Sequence, residues 1–206
     1  VCPDDVKAVG ISKITRKDVA AAEAFGCKIK LLGVAELKDG KLFLEVSPYC
    51  IADNVPLYGI EDVFNGIMVD TDAAGTVMFY GRGAGKLPTA SAVVSDIIDI
   101  AARKGAKSQF APWKDGKDML AKDEREFAYL MRVGGDVADF EKKFNICAHI
   151  TEENVVAFVT DKFNAEEYDS FCKILEERGY SVISSYKVFN KTALEVGCCF
   201  LVSNVF

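Results

Sequence analysis

The sequence predicts an α+β protein in two parts: a mixed sheet with packing helices, followed by a ferredoxin-like β-α-β-β-α-β unit. Three observations carry this. Between residues 28 and 80, short apolar or alternating runs are separated by turn signals, with helical periodicity before them at 12–26 and after them at 88–103. A charged stretch at 106–124 then breaks the pattern. From residue 125 strand and helix signals recur in the β-α-β-β-α-β order. The expected boundaries are 1–105, a linker at 106–124, and 125–206.

The first helix, over 12–26, has both ends marked. Thr15 is its cap, Asp18 complements the exposed N–H groups, and Gly26 stops it after Phe25. Ala20, Ala21, Ala22 and Ala24 are small enough to let it lie close against a sheet. Residues 28–37 form a strand and Asp39-Gly40 a hairpin turn. In the returning strand, 41–46, Leu42, Leu44 and Val46 alternate with Lys41, Phe43 and Glu45, so one face is buried. Ser47-Pro48 is expected to end it. An irregular stretch with Pro56 and Gly59 follows, then strands at 64–69 and 76–80 about a turn at 72–75. The result is a sheet of about four strands with two helices, whose open edges favour dimerisation.

The strand at 76–80 feeds the stretch around which the chain is organised. Gly81-Arg82-Gly83-Ala84-Gly85 is a glycine-rich loop, and Pro88-Thr89 opens a helix with Ala90, Val93, Val94, Ile97, Ile98 and Ala101 on one face. That spacing is the mark of a helix packed on one side. Arg103 and Lys104 suit its negative end, and Gly105 closes it. Bare glycine backbone beside a helix N-terminus suits a phosphate-bearing cofactor or another backbone. A tight corner without ligand explains it as well. Two stronger motifs are excluded: the sixth residue from Gly81 is Lys86 where a dinucleotide fingerprint needs glycine, and Leu87 follows Lys86 where a P-loop needs Ser or Thr.

In the linker, Phe110, Pro112 and Trp113 read as anchors. Beyond it, 127–133 is a strand, Gly134-Gly135 a turn, 136–144 a short helix, and 146–150 and 155–159 strands around Glu152-Glu153-Asn154. Asn164 and Glu167 form a capping box that opens a helix carrying Tyr168, Phe171, Cys172, Ile174 and Leu175 and stopped by Gly179. A strand at 180–189 completes the unit, and 198–205 adds a final one.

Composition narrows the function classes. Half of the 206 residues are hydrophobic, enough for a substantial core. Lys plus Arg number 25 against 31 Asp plus Glu, and the net charge of −6 argues against nucleic-acid binding. No apolar run reaches the roughly 18 residues of a membrane span, no signal peptide is visible, and the chain opens Val-Cys-Pro, as a fragment or a trimmed product would. Seven cysteines without a C-x-x-C pair indicate a reducing, cytoplasmic protein without a zinc site.

Residue by residue, no complete catalytic site emerges. His149, the single histidine, lies in an alternating strand pattern with no G-x-S-x-G elsewhere, which reads as structural. Glu152-Glu153, Glu166-Glu167 and Glu176-Glu177 fall at turns or helix ends and read as solvated surface. Lys86 reads as a solvated loop-tip cation, and Asp96 and Asp99 as the polar side of their helix.

A family resemblance adds to this. Gly10-Ile-Ser-Lys-Ile-Thr15, Ile29-Lys-Leu-Leu-Gly33, Val63-Phe-Asn-Gly66, Met78-Phe-Tyr-Gly81, and above all Gly83-Ala-Gly85 with Pro88-Thr-Ala-Ser-Ala-Val93 resemble homoserine dehydrogenase. The resemblance covers roughly 9–103 and matches the C-terminal part of the catalytic body. It implies that the Rossmann domain, the catalytic Lys and the acidic substrate ligands lie upstream of residue 1. It implies that Gly85, with Gly83 and Ala84, contacts an NAD or NADP cofactor, that the following helix packs against the nucleotide-binding domain, and that the sheet dimerises. Arg82 stands where the family more usually has Pro. Residues 125–189 resemble, in element order, an ACT domain, which implies an amino-acid effector such as threonine; the turn Gly134-Gly135-Asp136 lacks the expected Pro.

The reading that results is a C-terminal fragment of an NAD(P)-dependent homoserine dehydrogenase of threonine and methionine synthesis. It would be a homodimer and inactive alone, without catalytic residues of its own or a metal. The alternative is a stand-alone amino-acid-binding regulatory protein of ACT type without catalysis.

Overall fold

The computed structural model describes residues 4, 6–103, 123–138, 140, 144, 149–189 and 198–203. The elements run β1 (Lys7–Ala8), α1 (Arg16–Ala24), β2 (Cys27–Lys38), β3 (Lys41–Ala52), a 3-10 turn (Pro56–Gly59), β4 (Phe64–Thr71), β5 (Gly75–Arg82) and α2 (Lys86–Ala102). They continue with β6 (Tyr129–Gly134), β7 (His149–Glu152), β8 (Val155–Val159), α3 (Ala165–Glu177), β9 (Ser181–Phe189) and β10 (Cys198–Ser203). The class is α+β, with helices packed on a mixed sheet. The expected linker falls outside the described residues apart from Asp123 and Glu124, as do Trp113, Gly105 and residues 139 and 141–143 of the helix expected at 136–144; Phe140 and Phe144 are helical, whereas 136–138 are not.

One sheet joins both parts of the chain. Its order is β5-β4-β10-β2-β3-β9-β6-β8-β7, with β1 paired to β3. Two departures from the sequence expectations produce this. First, β3 does not end at Ser47-Pro48 but runs on to Ala52. The Val46 carbonyl accepts from the Val9 N–H, so by alternation the Pro48 nitrogen faces the same edge. There it falls between the pairing with β1, which reaches Val46, and the parallel pairing with β9, which starts at Tyr49. A proline is tolerated where the ladder asks for no donor. Second, β10 does not extend the C-terminal unit. It lies between β2 and β4, antiparallel to both, and welds the two N-terminal hairpins into one surface.

The core follows from this continuity. Leu32, Val34, Tyr49, Ile51 and Met68 pack in one cluster with Met131, Val133, Phe158, Leu175 and Phe189. Phe140 lies there too, 5.2 Å from the Phe158 ring and 5.0 Å from Tyr180. On the other face Ala22 of α1, Cys27, Ile29 and Cys50 meet Leu130 and Tyr186. Cys27 and Cys50 are free, and burial pushes both thiols up. Helix α1 can approach this closely because its buried apolar residues, Ala21 and Ala22, are small.

Two charged clusters tie the parts together. Asp18 completes a capping box with Thr15, as its spacing predicts, yet it is almost fully buried. Its Oδ2 accepts from Thr15 N–H at 2.7 Å and Thr15 Oγ1 at 2.6 Å, and its Oδ1 from Arg132 Nη1 at 2.8 Å and from Ser184 Oγ. Burial alone would raise its pKa, but the hydrogen bonds from Ser184, Thr15 and Arg132 outweigh it and bring the carboxyl from 3.8 to about 2. Because the folded value is the lower one, this stabilisation is complete above about pH 3.8 and lost as pH falls through about 2. Acid titration followed by circular dichroism should show stability declining across that window, and Asp18→Asn should flatten the decline.

The second cluster centres on Glu45. It accepts from Lys187 Nζ at 2.8 Å, Tyr49 Oη at 2.8 Å, Ser47 Oγ at 2.9 Å and Arg125 Nη2 at 3.4 Å. Arg125 also reaches Glu36 and Asp123, and lies 3.6 Å from the centre of the Phe43 ring. Burial would raise the Glu45 carboxyl, but Lys187 beside it, with Tyr49 and Ser47 donating, holds it below its usual value. The outward-facing Glu45 of the alternating pattern is therefore covered by the second part of the chain.

Candidate functional site: the glycine loop and its helix

The β4–β5 hairpin pairs in full register from Thr71 and Gly75 at its turn to Phe64 and Arg82 at its open end. Past that end the Gly83 N–H donates to the Val63 carbonyl at 3.1 Å, which carries the ladder one step further. The chain then turns at Gly85, with φ of 119° and ψ of 157°, into α2. That φ is open to glycine and resisted by any residue with a Cβ. The Gly85 carbonyl accepts from the Thr89 N–H at 3.1 Å and so begins the helix, at Lys86 rather than at Pro88.

This helix start is bare. No side chain caps it and no acidic residue stands in its first turn, so its leading N–H groups lack intrahelical partners. Gly83, Ala84, Gly85 and Lys86 are all exposed. Arg82 lies over the Phe64 ring, 5.0 Å from its centre, and Phe64 stacks on Tyr80 at 4.7 Å. The Arg82 cation therefore rests on an aromatic pair at the edge of the loop.

The apolar stripe of α2 is present as expected, but its cover is not among the described residues. No residue of the helix is buried; Val93 and Val94 are 53% exposed and Ile98 is 62% exposed. The hairpin's outer face is similar, with Phe79 63% and Ile67 40% exposed. The hairpin and the helix that flank the glycine loop in the chain thus both expose apolar side chains, as interface surfaces do.

The other candidates do not converge on this loop. His149 lies in β7, in a different part of the sheet. Glu166 and Glu167 sit in the first turn of α3, where Glu167 completes the capping box with Asn164. Glu153 is an exposed turn residue, and Glu176 and Glu177 are exposed at the end of α3. Asp99 pairs with Arg103 at 3.0 Å on the surface of α2. Among the described residues no group of His, Cys, Asp and Glu is arranged to hold a metal ion, and no helix is long and apolar enough to cross a membrane. The Asp18–Arg132 pair and the Glu45 cluster went unseen in the sequence, since Asp18 and Arg132 are 114 residues apart and no local spacing links them.

Comparison with known proteins places the loop in a family. The family model for homoserine dehydrogenase matches residues 1–98, which includes the hairpin, the glycine loop and most of α2. A homoserine dehydrogenase of Synechocystis is 48% identical over 101 residues, covering 47% of this chain and 23% of that protein. One from Mycobacterium leprae is 35% identical over 173 residues, covering 76% of this chain and 39% of its own length. Residues 1–98 of this chain carry a homoserine dehydrogenase domain. The solved homoserine dehydrogenase of Thiobacillus denitrificans superposes with a TM-score of 0.70 at 27% identity, over 91% of this chain and 48% of that one. The S. aureus enzyme does so with a TM-score of 0.66 at 30% identity, over 92% and 49%. The chain thus spans about a quarter to about half of the homoserine dehydrogenases it matches, and the structural likeness extends through its second part.

Proposed function

We propose that this chain is the C-terminal part of an NAD(P)-dependent homoserine dehydrogenase, which interconverts L-homoserine and L-aspartate 4-semialdehyde. The observation that carries the reading is the bare loop Gly83-Ala84-Gly85, exposed at the head of a helix whose apolar side is uncovered, within a domain of this family. The loop fits a nicotinamide cofactor: at Gly85 the backbone conformation excludes side chains, and the exposed main chain can be approached closely. When bound, the cofactor supplies or accepts the hydride. Gly83, Ala84 and Gly85 would hold it by main-chain contact, while α2 offers its apolar stripe to the nucleotide-binding domain and so fixes where the loop stands.

The reading assigns this chain no proton-transferring residue. The isolated 206-residue chain should therefore show no NADPH-dependent reduction of aspartate semialdehyde, whereas the same chain continued upstream by a nucleotide-binding domain should. Turnover by the purified chain alone would contradict the assignment.

For the second part we propose an ACT-type regulatory module. Its support is the strand order β9-β6-β8-β7 with every neighbour antiparallel, and Leu175 of α3 together with Phe140 packed on one face. Titration calorimetry with threonine tests it, and heat only at the level of dilution would count against an effector site for that amino acid. A homodimer is expected from the apolar outer face of the β4–β5 hairpin. Light scattering should return about twice the chain's 22.5 kDa, and a monomer at micromolar concentration would remove the idea.

A further inference from the structure

Asn65 lies on β4 directly opposite Gly81, on the face of the hairpin turned away from the core. Its neighbours show the alternation: Gly66 and Met68 are buried, while Ile67 is exposed. Two residues beyond Gly81 the backbone reaches Gly83, on the same face, and there the Asn65 carboxamide occupies the space a side chain would take. A Cβ at Gly83 would stand 1.7 Å from Asn65 Nδ2 and 2.4 Å from Asn65 Cγ. Gly83 does not have the positive φ of Gly85, so its backbone does not demand glycine. What demands glycine is the side chain lying over it.

Asn65 is half-buried, and its carboxamide makes no hydrogen bond among the described residues. Its role in this structure is therefore one of shape. It is wedged against the main chain one residue after the last paired residue, Arg82, and two residues before the turn at Gly85. Between the ladder and the helix the loop's main chain is tethered by the Gly83 N–H to Val63 carbonyl bond at 3.1 Å. The Asn65 side chain acts beside that tether and restricts where the loop can move.

We infer that Asn65 is a positioning residue for the cofactor loop: by packing on Gly83 it sets the stance of the Gly83–Gly85 backbone. This rests on the cofactor reading of that loop. A cofactor held by main-chain contact is sensitive to displacement of the main chain, so the loss of a wedge shows as weaker binding while the fold stays intact.

The test is a cycle of variants in the full-length dehydrogenase, with NADPH dissociation constant and thermal midpoint measured on each. Asn65→Ala removes the wedge. Gly83→Ala displaces it, and because the colliding atoms are the free end of a side chain the fold accommodates the methyl group easily. Each should raise the NADPH Kd on the order of tenfold with little change in midpoint. The double variant should be no weaker than the weaker single one, since both remove the same contact. Asn65→Leu, close in shape and without polar atoms, should restore most of the affinity. A double variant whose defect is the product of the two single defects overturns the inference, as does a Leu variant as weak as the Ala one. Gly85→Val separates this from the underlying reading. If Gly85→Val weakens NADPH and the Asn65 variants do not, the positioning role fails alone. If none of them changes the Kd, the cofactor reading of the loop fails with it.

Discussion

Asp18→Ala should lower the stability of this protein by about 3–5 kcal/mol, because it leaves the guanidinium of Arg132 buried without its charged partner. The loss of the capping box with Thr15 adds about 1 kcal/mol more. For a chain of this size the thermal midpoint should fall on the order of 10 °C. The effect should not stay local. Asp18 belongs to α1, while Arg132 and Ser184 belong to β6 and β9, so amide exchange should accelerate in α1 and in both of those strands. Replacing the pair together, as Asp18→Leu with Arg132→Met, should recover most of the loss, since a buried ion pair and an apolar pair of similar volume have similar stability. As a contrast, Lys28→Ala removes an exposed pair with Glu61 and should leave the midpoint unchanged. Differential scanning calorimetry of the three variants beside the unaltered protein checks the scheme. A fall of only a degree or two in Asp18→Ala would mean that the carboxylate does not join the two parts.

The same pair shows why part of this structure was legible in the sequence and part was not. Local signals were read correctly where the governing interaction is local. Thr15 with Asp18 and Asn164 with Glu167 are capping boxes because a side chain three residues on can reach back to the cap. Asp39 and Gly40 turn the β2–β3 hairpin, both with positive φ. What failed was long-range. Pro48 has the local chemistry of a strand end, and only the gap between β1 and β9 beside it lets β3 continue. Glu45 alternates as a solvent residue, and Lys187 and Arg125, which cover it, come from far along the chain. A strand is expected at 198–205 and is described over Cys198–Ser203, but its place between β2 and β4 depends on two edges that no pattern within six residues can specify. The site shows the same division. The glycine loop ahead of a helix could be read from composition, although the helix begins at Lys86 and not at Pro88-Thr89, whereas the seat of Asn65 on Gly83 depends on hairpin register.

Gly85→Val, in the full-length enzyme, should raise the cofactor Kd by roughly five- to 150-fold, the equivalent of about 1–3 kcal/mol for one good main-chain contact. Two effects act at this residue. A branched side chain blocks close approach of a ligand to the backbone, and it is forced into a φ of 119° that side chains resist. The second effect alone costs about 1–3 kcal/mol of stability wherever it occurs, so a lower midpoint by itself says nothing about the cofactor. The space around the Cβ is not the obstacle within the chain: its nearest atom would be Pro88 Cδ at 3.5 Å, an ordinary contact. A second glycine supplies the control. Gly75, at the turn of the same hairpin, has a φ of 66° and nothing within 4 Å of its Cβ position. Gly75→Val imposes comparable backbone strain at the opposite end of β5, away from the loop. Both variants should lose midpoint by similar amounts, and only Gly85→Val should lose affinity among the molecules that remain folded. If the two variants bind NADPH equally well, Gly85 is a corner glycine, and the assignment of the Gly83-Ala84-Gly85 loop to the cofactor falls with that result.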